Sequence, residues 1–302
     1  MPARWKRLLA PASLYETPLC DSLATEAAAG RRFRARRDGS AGILEVELLE
    51  DRYAGYVKLD ELEFADDDDD PRDPATGTAD SPPSSALPIT PAHRAYAVAF
   101  VLRALPAARP RDRYEYLWGG CLGPRFDCSG LVQTAYASAI APTAASSTSA
   151  PPRIPRDAHQ QREHCVDVPD PADALPGDLL FFGDDGSDAS SPEEDDDEPG
   201  PGGPPSSSAS ASVISRRRAR CDHVAMLIAP PERSSSGEDP AAVTLTYAHC
   251  SCRATGRDGV AADAVVVCRG GAAKPRPLEG ADAVAARYAT RFRGVGRPTR
   301  TL

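Results

Sequence analysis

Long apolar runs are missing from this chain of 302 residues. No stretch of about 18 apolar residues occurs, so the sequence predicts no helix that crosses a membrane and no membrane partner. The first residues, MPARWKRLLAPASLYETP, also lack the apolar core of about 7–15 residues that a secretory signal carries. We therefore expect a cytoplasmic location, although these residues leave secretion open.

The sequence has few cysteines for its length, and its basic residues are fewer than its acidic residues. Eight cysteines in a chain of this length do not form the dense disulfide framework of a small secreted domain. The 35 Lys and Arg residues are outnumbered by 44 Asp and Glu residues, which gives a net charge of −9. Such an acidic chain argues against nucleic acid as the main partner. We expect a monomer in a reducing compartment, with no metal and no cofactor.

Low-complexity segments divide the chain. Residues 65–88 are rich in Asp, Pro and Ser, residues 141–152 in Ala, Ser, Thr and Pro, and residues 184–212 in Ser, Asp, Glu and Pro. These compositions bury too little apolar surface to offset the entropy of ordering them. We interpret 65–88 as a linker between domains at 1–64 and 89–302, and the other two as insertions in surface loops.

The two ordered regions differ in their apolar patterns. Short apolar runs separated by glycine-containing turns predict a small β-barrel in residues 5–64. Helical periodicity predicts helices over 91–105 and 129–140, and strand-like stretches follow them. Helices followed by antiparallel strands indicate an α+β fold. The predicted strands are 178–182, 223–229, 243–248 and 264–268, and a short closing helix is predicted over 281–292.

Cys128 lies where a loop meets the second predicted helix, in FDCSGLVQTAY. A helix start carries unpaired backbone N–H groups and the positive end of the helix dipole. Both favour a thiolate over a thiol and lower the pKa of the cysteine, and a thiolate is a nucleophile. The placement alone leaves a small buried core cysteine open as well.

Two histidines stand at the ends of successive predicted strands. His223 opens the apolar segment in CDHVAMLIA, and His249 closes the segment in TLTYAHCSC. If the strands are adjacent and antiparallel, the two imidazoles can lie close together and supply a base and an orienting group for Cys128. For each histidine by itself, a structural role remains open.

Six motifs follow one another along residues 89–268. They are YLWGG at 116–120, FDCSGL at 126–131, IPR at 154–156 with Gln160 or Gln161 after it, LPGDLLFF at 175–182, DHV at 222–224, and YAH at 247–249 with GV at 259–260. In this order they resemble the signature of the NlpC-type cell-wall cysteine peptidases. The order of six motifs is far more specific than any one of them.

This resemblance implies a papain-like catalytic domain with a Cys–His–polar triad. Cys128 would be the nucleophile, His223 the general base and acid, and His249 the residue that orients His223. Backbone N–H groups near Cys128 would stabilise the oxyanion. The implied reaction is attack of the cysteine sulfur on an amide carbonyl, followed by hydrolysis of the thioester.

The N-terminal region resembles the bacterial SH3-like domain that precedes some of these peptidases. The likeness rests on LYETP at 14–18, DSL at 21–23 and GYV at 55–57, with Tyr56 where tryptophan is usual. Such two-domain enzymes act on peptidoglycan stem peptides that carry a free N-terminal L-Ala. They cleave between γ-D-Glu and the diamino acid.

The same resemblance implies a set of substrate-binding residues. Asp127 and Ser129, on either side of the nucleophile, would hold the substrate ammonium group together with Tyr53. Trp118 in the YLWGG motif is a further candidate for substrate binding. Asp127 can also cap the helix, and Tyr53 can be a core residue. The insertion 184–212 precedes His223, where either a lid or an inert loop is possible.

Other functions remain open from the residues. A related thiol amidase or acyltransferase could use the same core, and an inactive muropeptide-binding module could use the same cleft. A metal site is a weaker alternative, because the C-x-H and H-C-x-C spacings match structural zinc sites poorly. The acidic runs lack the spacing of a calcium-binding loop. The possible metal ligands are Cys221, His223, His249, Cys250 and Cys252.

Overall fold

The computed structural model describes residues 5–38, 42–66, 86–105, 114–141, 152–183, 221–233, 243–250, 265–271 and 291–302. It contains a strand-rich N-terminal domain and a second domain of helices packed on a sheet, so the predicted α+β fold is confirmed. Most of the linker 65–88 and of the insertion 141–152, and all of the insertion 184–212, lie outside the described residues.

The N-terminal domain is a seven-stranded antiparallel sheet in the order β3-β2-β6-β5-β4-β1-β7. Its core includes Leu14, Phe33 and Val57, which are at most 2% exposed. The sheet extends to Asp66, two residues beyond the predicted end of this domain. The strands are β1 Lys6–Leu8, β2 Ala12–Tyr15, β3 Leu23–Ala27, β4 Arg32–Asp38, β5 Ile43–Leu48, β6 Ala54–Lys58 and β7 Phe64–Asp66.

In the part of the second domain that the structure describes there are three α-helices, α1 Pro91–Ala104, α2 Cys128–Ile140 and α3 Ala158–His164. Thr90 caps α1 by accepting a hydrogen bond from the backbone N–H of His93, and Pro91 occupies the first helical position. Both predicted helices are confirmed within one residue. The periodicity did not predict α3, because AHQQREH is a short, polar segment. It begins instead with a capping box at Asp157.

The sheet of this domain has the order β10-β16-β11-β12-β14-β13, and β15 pairs with residues 244–250 along the opposite edge of β14. The four predicted strands are present as β11, β12, β14 and β15. Of the predicted closing helix 281–292, only the end is described, and Phe292 there begins β16. The strands are β10 Val166–Val168, β11 Leu179–Phe182, β12 His223–Leu227, β13 Glu232–Arg233, β14 Val243–Cys250, β15 Val265–Gly271 and β16 Phe292–Arg297; the short β8 Glu115–Tyr116 and β9 Arg125–Phe126 form a separate parallel pair.

Apolar side chains are buried on both faces of this sheet. In β11, Leu179 and Phe181 pack with α1 and α2, whereas Leu180 and Phe182 join a second cluster on the opposite face. A strand covered on both faces has a continuous apolar sequence, which explains LLFF at this position. Within the described residues, no helix is long and apolar enough to cross a membrane.

Buried polar contacts join the two domains. Asp51 of the N-terminal domain accepts a hydrogen bond from Gln133 of α2 at 3.0 Å and forms an ion pair with Arg31 at 2.5 Å. Glu26 at the end of β3 accepts from the backbone N–H of Cys121 at 3.0 Å. Because a carboxylate removed from water is unfavourable unless it accepts hydrogen bonds, the contacts from Gln133 and Cys121 favour one arrangement of the two domains.

Candidate active site

An open cleft with about 570 Å³ of space, solvent-open volume included, lies between the two domains. The N-terminal domain contributes Tyr53 to its wall, and the second domain contributes Trp118 and the start of α2. Cys128, the first residue of α2, borders the cleft and is 8% exposed. The sheet and the helix therefore place a cysteine at a helix start beside a space that can hold a ligand.

The start of α2 is packed tightly against the preceding loop. Asp127 caps the helix by accepting a hydrogen bond from the backbone N–H of Gly130 at 2.6 Å. A Cβ atom at Gly130 would lie 2.1 Å from the carbonyl oxygen of Gly120, so any larger residue would force the helix away from this loop. This close approach keeps Cys128 in a defined position.

A buried arginine holds the Asp127 carboxylate. Arg156 is 1% exposed and donates from its two terminal nitrogens to the two oxygens of Asp127, at 3.0 and 2.7 Å. It also donates to Ser129 at 2.8 Å and to Thr25 of the N-terminal domain at 2.8 Å. The carboxylate further accepts from the backbone N–H of Gly119 at 2.9 Å. Asp127 is thus part of a bidentate ion pair that links both domains to the helix start.

The two predicted histidines form a hydrogen-bonded pair. Nε2 of His223 lies 2.8 Å from Nδ1 of His249, and the two rings are nearly perpendicular at 85°. The sequence predicted that these strand ends lie close together, and the register of β12 and β14 confirms it. Leu227 is opposite Tyr247, and the two-residue period of a strand places His223 and His249 on the same face.

The backbone joins the histidine pair to the cysteine. The N–H of Val224, the residue after His223, donates a hydrogen bond to the sulfur of Cys128. The start of β12 therefore touches the start of α2. Cys128, His223 and His249, which lie far apart in the sequence, come from one helix start and two neighbouring strands.

Comparison with known families agrees with this arrangement. Residues 113–191 match the sequence model of the NlpC/P60 family, and residues 14–62 match that of the bacterial dipeptidyl-peptidase Sh3 domain. The second domain therefore contains a segment similar to the NlpC/P60 family. It is preceded by a bacterial SH3 domain, so the resemblance found in the sequence motifs is confirmed. The search of curated proteins gave no match.

Several solved structures are similar to this chain. NlpC2 from Trichomonas vaginalis has 16% identity and a TM-score of 0.34, with 98% of this chain and 73% of that chain covered. NlpC1 from the same organism has 17% identity and a TM-score of 0.27, with 81% and 63% covered. An NlpC/P60 family protein from Bacillus cereus has 18% identity and a TM-score of 0.34, with 97% and 62% covered. This chain thus spans less than two thirds of the second and third proteins.

The protonation state of Cys128 differs from the sequence expectation. Burial raises the pKa of the Cys128 thiol to about 12, and the negative charge of Asp127 raises it further. The N–H groups of Val224 and Ser129 and the charge of Arg156 act in the opposite direction but do not offset the burial. Expecting a lowered pKa was therefore wrong, because it took account of the helix start and not of the desolvation.

The pKa of His223 is lowered well below its usual value, first by burial and then by the charges of His249 and Arg291. At neutral pH the resting site therefore holds a thiol and a neutral imidazole. A preformed thiolate–imidazolium pair would need the opposite shifts. In this state the Cys128 sulfur could act as a nucleophile only if a base removed its proton.

Alkylation of Cys128 by iodoacetamide is expected to rise steadily between pH 7 and pH 10. The thiolate is the reacting species, and with a pKa of about 12 its fraction grows about tenfold per pH unit over this range. Mass spectrometry of the modified peptide measures the rate at each pH. A rate that levels off below pH 8 would mean that the thiolate is already formed at neutral pH.

The remaining predicted residues occupy different positions in the cleft. Ser129 lines it and contacts Arg156 and Asp127. Tyr53 borders the cleft and also packs in the core of the SH3 domain at 6% exposed, so it occupies both of the positions considered from the sequence. Trp118 lines the cleft with 58% of its surface exposed.

Sequence reasoning missed several residues of this site. Arg156 was noted only as part of a motif, although an arginine at a buried position requires a carboxylate partner. Asp127 is that partner. Glu16, Asp157 and Asp222 also line the cleft, and no local signal distinguished them from other acidic residues. Among the described residues, no group of three or more histidine, cysteine and acidic side chains is arranged to hold a metal ion; Cys252 lies outside those residues.

Proposed function

We propose that this protein is a cysteine peptidase that hydrolyses peptides derived from peptidoglycan. One observation carries the proposal. The sulfur of Cys128 accepts a hydrogen bond from the backbone N–H of Val224, directly beside the hydrogen-bonded pair of His223 and His249. This arrangement supplies a nucleophile, a base and an orienting group. The NlpC/P60 and SH3 domains support the same class of activity and substrate.

In the proposed mechanism, His223 accepts the thiol proton as Cys128 attacks the amide carbonyl. Backbone N–H groups at the start of α2 stabilise the oxyanion that forms. His223 then gives its proton to the leaving amine, and water hydrolyses the thioester. His249 accepts a hydrogen bond from Nε2 of His223 and thereby stabilises the imidazolium while it exists.

The proposed substrate is a stem peptide with a free N-terminal L-Ala, cleaved between γ-D-Glu and the diamino acid. A cationic amino terminus suits a cleft lined by carboxylates, here those of Glu16, Asp157, Asp222 and Asp127. Since Arg156 offsets the charge of Asp127, we assign Asp127 a shared role: its carboxylate holds the helix start and contributes to the ammonium site with Ser129 and Tyr53. Trp118 is proposed to pack against the peptide.

Blocking the amino terminus of the peptide is expected to prevent cleavage. The enzyme should hydrolyse L-Ala-γ-D-Glu-diamino acid peptides, whereas the N-acetyl-L-Ala peptides should be cleaved at least about 100-fold more slowly, because the acetyl group removes the charge that the carboxylates attract. Mass spectrometry of the products from matched free and acetylated peptides identifies the bond and compares the rates.

A Tyr53→Phe variant provides the matched comparison at the ammonium site. It keeps the ring that packs in the SH3 core and removes only the hydroxyl, so a rise in KM for the free peptide, at an unchanged stability in urea, reports recognition and not folding. Equal cleavage of the free and acetylated peptides would remove Asp127, Ser129 and Tyr53 from ammonium binding.

A muropeptide-binding module without catalysis is the second candidate function. The raised pKa of Cys128 and the lowered pKa of His223 favour it, because both shifts oppose a reactive thiolate. A thiol amidase or acyltransferase is the third candidate. Calorimetry that shows peptide binding without any product would support the binding module, and transfer of the acyl group to an added amine would support the acyltransferase.

A further inference from the structure

A buried cysteine continues the hydrogen-bonded series that starts at His223. The sulfur of Cys268 lies 3.4 Å from Nε2 of His249, whose Nδ1 lies 2.8 Å from Nε2 of His223. The exposed fractions of His223, His249 and Cys268 are 5%, 1% and 3%. We propose that Cys268 is a positioning residue that selects the tautomer of His249 and, through it, that of His223. This inference rests on the proposed peptidase function.

The contact arises from the register of three neighbouring strands. Cys268 of β15 is opposite Tyr247 of β14, and Val266 is opposite His249. Directly opposed residues in antiparallel strands point to the same face, and residues two apart share it. Cys268 therefore stands diagonal to His249, on the face that also carries His223. Diagonal neighbours are within reach of a long side chain such as histidine.

The proton positions along this series depend on one another. To act as a base toward Cys128, neutral His223 must keep Nδ1 unprotonated and carry its hydrogen on Nε2. That hydrogen is donated to Nδ1 of His249, which places the hydrogen of His249 on Nε2. The Nε2–H group of His249 is then donated to the sulfur of Cys268, the acceptor at 3.4 Å.

The reverse direction would disable the base. If the thiol of Cys268 donated to Nε2 of His249, the hydrogen of His249 would move to Nδ1 and point at Nε2 of His223. His223 would then carry its hydrogen on Nδ1 and could not take a proton there. Because one bond sets the direction of the next, the sulfur must act as the acceptor in the active state.

The strength of this effect follows from the chemistry of sulfur. A thiol is a weak acceptor and also a weak donor, so it favours one tautomer without locking it. Cys268→Ala removes the acceptor and keeps a small apolar side chain. Cys268→Ser keeps an acceptor of similar size, with oxygen in place of sulfur.

Cys268→Ala is expected to lower kcat on the free stem peptide about five- to tenfold with little change in KM, because the active tautomer becomes less populated. Cys268→Ser should restore most of the rate. A loss of packing would instead affect serine and alanine alike. Cys165→Ala is the matched control, since this cysteine ends α3 away from the cleft and should keep the full rate.

Nitrogen NMR of ¹⁵N-histidine-labelled protein provides a readout that does not depend on turnover. The chain has five histidines, so the His223 signals can be assigned by comparison with His223→Ala. We expect the wild type and Cys268→Ser to carry the hydrogen of His223 on Nε2, and Cys268→Ala to show a mixture of both tautomers.

An unchanged tautomer of His223 in Cys268→Ala would overturn the inference. If the wild type hydrolyses the peptide, an unchanged kcat in Cys268→Ala would overturn it as well. If the wild type shows no hydrolysis at all, the proposed function fails. The NMR comparison still decides the role of Cys268 in that case, so the two failures are separable.

Discussion

Replacing Cys128 with alanine is expected to lower kcat on stem peptides to background, a loss of about a millionfold. The substitution removes the sulfur that forms the thioester in the proposed mechanism, and no other described nucleophile starts a helix beside the cleft. Cys128 is small and only 8% exposed, so alanine fits its place and the fold should be retained. Product formation followed by mass spectrometry measures the loss.

Two controls separate catalysis from folding and binding. Cys165→Ala removes a different thiol and should turn over like the wild type. Cys128→Ala should still bind the peptide in calorimetry, because the carboxylates that line the cleft remain. Full turnover by Cys128→Ala would refute the peptidase mechanism and with it the assignment of the nucleophile.

The second large effect is expected for Asp127→Ala, which should lower the free energy of unfolding by about 3–5 kcal/mol. The substitution leaves Arg156, whose side chain is 1% exposed, without its bidentate partner, and a buried unpaired charge is strongly unfavourable. It also removes the cap of α2 at Gly130, so the helix start that carries Cys128 loses its support.

Denaturation in urea measures this loss, and two further variants divide it into its parts. Asp127→Asn keeps the helix cap and removes the charge, so it isolates the ion pair. Adding Arg156→Met to Asp127→Ala removes the orphaned cation and should recover part of the stability. A loss below about 1 kcal/mol in Asp127→Ala, with no recovery in the double variant, would show that the ion pair contributes little.

Local sequence was sufficient for most elements of the fold. The helix over 128–140 follows from its apolar periodicity and from Asp127 as a capping residue, both of which act within a few residues. The strand LLFF is apolar throughout because both of its faces are buried. The polar helix α3 was not predicted because it has no apolar periodicity. A capping box alone is too weak a signal to predict a helix.

The pKa of Cys128 shows why local reasoning can give the wrong sign. The helix start is visible in the sequence, and its N–H groups do lower the pKa. Burial depends on residues that pack on the site from elsewhere in the chain, and its effect is the larger one here. The same distinction applies to Asp127, whose partner Arg156 lies 29 residues away in the sequence.

By itself, the sequence determined the α+β fold, the cysteine at a helix start and the two histidines at strand ends, because those features depend on local periodicity, capping and motif order. Only the tertiary structure decided that Arg156 forms an ion pair with Asp127 and that the sulfur of Cys268 contacts the imidazole of His249. The physical reason is strand register and domain packing: both bring together residues far apart in the chain, and a shift of one residue would turn Cys268 to the other face of the sheet.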